Sequence, residues 1–173
     1  MDDATSAEVE AARAAWFAAP DLPARLEAVS ALQHLAASAS DYRVRRAAMT
    51  HLIELIHVSD HPALRAGLVS ALGHIRSPIG VPALHAELHA ADASVREAAI
   101  ESLGRLGYPF GGSVLARWLS RRDLELEPRR VLAAALRTLA RTGHASVASW
   151  AERLWSEGRV EAWQSQRIST VFG

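Results

Sequence analysis

An acidic residue, three further positions, an arginine and then an apolar stretch of helical period form a frame that occurs five times along the chain. The clearest copy is Asp92-Ala-Ser-Val-Arg96-Glu-Ala-Ala-Ile-Glu-Ser-Leu103-Gly104-Arg-Leu106. Counted from the arginine, leucine falls at plus seven and plus ten. The same frame reads Arg25, Leu32, Leu35; Arg45, Leu52, Leu55; Arg65, Leu72, Ile75; and Arg129, Leu136, Leu139. With the apolar residues at plus three and plus four, these positions make one stripe on each helix. A helix cannot cover its own stripe, so tandem copies must stack on one another.

The residue four before the arginine is Asp21, Asp41, Asp92 or Glu125, and only the third copy departs, with His61 there beside Asp60. A carboxylate here suits an N-cap, where it accepts backbone N–H groups and meets the positive end of the helix dipole. Pro23, Pro62 and Pro128 fall in first turns, where proline is tolerated. Small residues on the stripe (Ala28, Ala48, Ala99) let neighbouring helices approach.

Second helices follow the later copies, over Val81–Leu88, Ser113–Leu119 and Ser146–Leu154. They are set off by Ser77-Pro78, by Gly107-Tyr-Pro109 with Gly111-Gly112, and by Thr142-Gly143. Arginine-to-arginine spacings of 20, 20, 31 and 33 leave room for a full helix pair only in the last three copies. The first two are expected to form a compact cap in which successive helices share one repeat's work. Residues 4–19 read as an N-terminal capping helix and residues 158–170 as a closing one. No stretch shows the period-two alternation of a strand.

These residues resemble the HEAT-repeat family, in particular the short bacterial HEAT-like repeats found also in bilin lyases. That pattern runs roughly Asp, two residues, Val-Arg, two small residues, then Leu-Gly and a turn. Asp92–Leu106 follows it closely, Leu72-Gly73 repeats the Leu-Gly element, and the resemblance covers about residues 21–156. It implies an all-α fold, an α-solenoid of about ten helices in a right-handed superhelix. The whole of 1–173 is then a single domain, with 1–20 and 157–173 as its capping ends. The resemblance also implies that Asp and Arg pack as a ladder between repeats. The ladder residues are Asp21, Arg25, Asp41, Arg45, Arg65, Asp92, Arg96, Glu125 and Arg129.

Composition removes several chemistries. Cysteine is absent, and with it disulfides, thiolate ligands and cysteine nucleophiles. No Gly-x-Ser-x-Gly elbow or phosphate loop occurs. His85 and His89 have a spacing that can hold zinc, but helical histidine pairs are common, and a structural or solvent-facing role is the better reading. His51, Glu54 and His57 only superficially resemble a cluster. No enzyme, cofactor or metal is expected. The acidic start and the lack of a long apolar run suggest a cytoplasmic protein with no membrane contact.

A non-catalytic scaffold or adaptor is the favoured function, with a protein or peptide on the concave face. Aligning the second helices on Leu84, Leu115 and Trp150 turns Glu87, Trp118 and Arg153 outward at one position, and His89, Ser120 and Trp155 at another. In a HEAT superhelix these helices would line the concavity. Trp118 and Trp155, with Arg117, Arg121, Arg122, Arg153, His85 and His89, become the candidate binding residues, since Trp and Arg are enriched at interface hot spots. Trp150 is expected in the core, and Trp16 and Trp163 at the capped ends.

Nineteen basic residues, all arginine, balance nineteen acids. Six acids against two arginines in residues 1–30, and seven arginines against three acids in 117–141, make the chain polar despite that balance. An acidic partner, or weak head-to-tail association of a monomer, would suit such a distribution. Two other readings rest on fold alone. HEAT-like DNA glycosylases share the architecture, but this zero net charge suits nucleic acid poorly. Bilin lyases suggest tetrapyrrole binding, for which the residue types present are ordinary.

Overall fold

The structure is a computed structural model that describes residues 5–107, 110–120, 124, 126–143, 146–163 and 166. Among them the chain forms nine α-helices and a short 3-10 helix, with no strand. The helices are α1 (Ser6–Ala18), α2 (Leu22–Ser38), α3 (Tyr42–Val58), α4 (Pro62–His74) and α5 (Val81–Glu87), the last preceded by the 3-10 helix Pro78–Gly80. They continue as α6 (Ala93–Leu106), α7 (Phe110–Leu119), α8 (Arg129–Arg141) and α9 (Val147–Ser156). The all-α array read from the repeat frame is what the chain adopts.

Short connections turn each helix back along its predecessor, and the helices sort into two rows. Motif helices α2, α4, α6 and α8 touch one another in sequence, while α1, α3 and α5, and then α7, line up beside them as companions. The second copy of the motif, on α3, therefore stands in the companion row. This accounts for the short spacings at the start: α3 carries the frame yet serves as partner to α4.

The caps follow the acids. Asp21 accepts from the Ala24 N–H at 2.9 Å, Asp41 from Arg43 at 2.7 Å and Asp92 from Ser94 at 2.8 Å. His61 occupies the N-cap of α4 without a side-chain cap bond. The fifth copy differs from expectation. Pro128, not Glu125, is the N-cap of α8, which makes Arg129 its first residue. Proline cannot supply a ladder N–H, so it stands at the boundary. Glu125 itself lies outside the described residues. The leucine stripe keeps its register regardless: Leu32, Leu52, Leu72, Leu103 and Leu136 are all buried in one continuous apolar core.

The motif row is the tighter of the two. A Cβ on Gly73 would lie 2.3 Å from the Ser102 side chain of α6, and one on Gly104 would lie 2.2 Å from Thr138 Cγ2 of α8. Ser102 also donates to the Val69 carbonyl at 3.0 Å, a buried bond that crosses from α6 to α4.

The aromatic ends differ as well. Trp16 is buried, as a cap should be, with the Arg25 guanidinium over its ring at 5.1 Å. Trp150 is only partly buried against the core, short of the buried place expected for it, and Trp163 is half exposed beside Glu161. Of the closing helix expected at 158–170, residues 164, 165 and 167–170 lie outside the described residues.

Two predictions follow from this packing. Gly104→Ala should destabilise the fold by about 1–3 kcal/mol in denaturant unfolding, the usual cost of overpacking. Adding Thr138→Ser, which removes the clashing Cγ2, should recover most of that loss. The Ser94 hydroxyl, followed by its N–H, holds the Asp92 carboxyl below its ordinary value of 3.8. Because the folded form is the more acidic, this cap's contribution is present above that value and is lost as pH falls through the folded one. An NMR titration of the Asp92 carboxyl should therefore show an upward shift in Ser94→Ala.

Candidate functional site

Among the described residues, Arg25, Arg45 and Arg96 do not pair with the acids four residues before them. Asp21, Asp41 and Asp92 cap their own helices, while the arginines reach out of theirs. Arg65 of α4 grips Glu87 of α5 with two parallel bonds of 2.8 Å, Nε to Oε2 and Nη2 to Oε1. Arg96 of α6 donates from Nε to Glu127 at 2.9 Å, and from Nη1 to the Ala90 and Ala91 carbonyls at 2.6 and 2.8 Å. Arg45 donates to the Ala39 carbonyl at 2.8 Å, closing the end of α2. The ladder is thus built of arginine with glutamate and carbonyl groups. Asp21, Asp41 and Asp92 are not its rungs, and Arg129 is exposed.

This clamp explains the failure of the outward alignment. Glu87 is 2% exposed because Arg65 draws its carboxylate inward, and Trp118, at the equivalent place on α7, is also 2% exposed. On α5 and α7 that position faces inward and not solvent. Trp118 is a core residue and is withdrawn as a binding anchor. Arg153, the third member of the alignment, donates to the Leu119 carbonyl at 3.1 Å and so ties α9 to α7. Hydrogen bonding to Glu87 pushes the Arg65 guanidinium above its ordinary value.

The other expected contacts remain at the surface without converging. Trp155 is 51% exposed at the end of α9, and Arg117 is exposed on α7. His85 on α5 and His89 just beyond its end are exposed, their rings edge to face with centroids 5.7 Å apart. No group of three metal-ligating side chains is found among the described residues. Arg121 and Arg122 lie outside them.

A second surface went unnoticed in the sequence. Tyr42, at the first residue of α3, stands between two depressions of about 540 and 200 Å³. Arg43, Thr50 and His51 line the larger; Met49, Arg76 and Ile79 line the smaller; Tyr42 and Arg46 belong to both. His51 closes one end, with Nε2 at 3.0 Å from Glu10 of α1 and Nδ1 at 3.1 Å from Glu54. Arg76 holds a left-handed φ of 55° just beyond α4, a conformation that costs a non-glycine residue about 1–2 kcal/mol. The sequence signal was the run Arg43-Val-Arg45-Arg46, in which only Arg45 belongs to the frame. Its neighbours become a surface because α3 stands in the companion row.

Tyr42 is 58% exposed, and it has counterparts. Ile79, immediately before α5, and Phe110, the first residue of α7, are also exposed apolar side chains at the start of companion helices. Companions run in the same direction, so all three belong to one edge of the array, one from each successive helix pair.

Residues 49–126 match the family model for HEAT repeats. Such repeats generally serve as protein-interaction scaffolds and typically lack catalytic activity. No curated protein matches the sequence significantly. Among the described residues no helix is long and apolar enough to cross a membrane.

The clamp yields an asymmetric prediction. Arg65→Met strands a buried carboxylate and should cost about 3 kcal/mol. Glu87→Gln leaves a guanidinium that water can reach, and should cost about 1 kcal/mol. Urea unfolding of the two variants checks the order; a larger loss for Glu87→Gln would contradict the clamp.

Proposed function

We propose that this chain, whose residues 49–126 match the HEAT-repeat family model, acts as a non-catalytic interaction module, an adaptor whose ligand is a protein or peptide segment lying along the edge of the companion row. The observation that supports this is the succession Tyr42, Ile79, Phe110, an exposed apolar side chain at the start of three successive companion helices. Such side chains gain free energy only when something covers them, and aromatic anchors supply most of the energy of many interfaces. An extended segment would meet one anchor in each repeat and so draw on several weak contacts at once. The ion pairs fit this division: Arg65, Arg96 and Arg45 join helices, which leaves the edge as the recognition surface. Trp155, half exposed at the far end of the array on α9, is a separate candidate contact for a further part of the same partner.

The test compares wild type with Tyr42→Ala/Ile79→Ala/Phe110→Ala as bait in affinity capture from the native lysate. A captured protein should bind the triple variant at least about a hundredfold more weakly, with melting temperature unchanged. Equal binding by the triple variant and loss in Trp155→Ala would move recognition to the far end. Equal binding by both variants would remove the two surfaces together.

A further inference from the structure

At the amino-terminal turn of α3 the two depressions meet, and the chain leaving α4 passes beside them. Resting on the interaction reading above, we infer that this part of the edge receives an acidic segment of a partner protein, with carboxylates on Arg43, Arg46 and Arg76 and an apolar side chain between Tyr42 and Ile79.

Charge carries the argument. Arg43, Arg46 and Arg76 are exposed, and among the described residues no carboxylate ion-pairs with any of them. The acids nearby are engaged elsewhere. Glu10 lies against His51 and Arg13, and Asp41 accepts the Arg43 backbone N–H. Arg45 is also engaged, at the Ala39 carbonyl, so three guanidiniums remain for a ligand. Each can take a carboxylate through two parallel N–H donors, a match of shape as well as charge.

The apolar part narrows the ligand. Met49, Pro78 and Ile79 line the smaller depression with Tyr42, and such a floor favours a side chain over a sugar-phosphate strand. Nucleic-acid binding draws on many phosphate contacts spread over a long track, and the balanced charge of this chain does not offer one. A short peptide needs only a local excess of positive charge.

A random peptide display library panned on the wild-type chain is the test, with Arg46→Glu/Arg76→Glu as the comparison and Arg46→Gln/Arg76→Gln as a milder pair should the first unfold. Enriched sequences should be acidic with interspersed apolar residues. Their affinity should fall at least about tenfold in the variants at unchanged melting temperature, and it should weaken with added salt. Neutral or basic winners, or acidic winners indifferent to both variants, would overturn the inference. Winners indifferent to charge but lost in Tyr42→Ala/Ile79→Ala/Phe110→Ala would uphold the interaction module and remove its acidic partner. An empty selection would remove both. Wild-type dimerisation in sedimentation, abolished by the charge variants, would make a second copy the occupant and overturn the inference. So would tighter binding of a single-stranded oligonucleotide than of any selected peptide.

Discussion

Each helix here has an apolar stripe that only another helix can keep from water. Everything else in the architecture answers to that constraint. The leucines seven residues beyond each motif arginine form one buried series from Leu32 to Leu136, and none is covered by its own helix. Burial of apolar surface drives the stacking, but it is non-directional and does not by itself fix which neighbour sits where. The arginines supply the direction. Arg65 can satisfy both Glu87 oxygens only with α5 in one place, and Arg96 holds both the chain entering α6 and Glu127.

This division of labour also gives meaning to the neutral charge. Asp21, Asp41 and Asp92 face their own helix ends, whereas Glu87 and Glu127 take arginines from a different helix. Much of the charge is therefore internal to the architecture. What remains outside is uneven, and the guanidiniums beside Tyr42 belong to that remainder.

Much of the fold was legible because helical period, N-cap acids and breakers agree along the chain. The stripe needed only spacing to be found. The site was harder, for two physical reasons. Aligning second helices by their leucines gives a rotation but no reference to the other row, so Glu87 and Trp118 were turned toward solvent when their position faces inward. A buried carboxylate becomes readable only once its arginine is known to reach it. The second reason is the row change of α3. The frame marks α2, α3 and α4 alike, and nothing local to Arg45 says that this copy stands among the companions. Tyr42, Arg43 and Arg46 drew no notice because their neighbourhood depends on Arg76 and Ile79, more than thirty residues away.

The glycine contacts of the motif row have a mechanical consequence. Where Gly73 meets Ser102 and Gly104 meets Thr138, only one short side chain stands between the helices, so that row behaves as a spine. Companion helices touch one another far less than the motif helices do. The array should then flex as a fan does, fixed along the spine and adjustable at the leaves. Tyr42, Ile79 and Phe110 stand on the leaves, so their mutual spacing can adapt to the pitch of whatever lies across them while the core beneath stays unchanged.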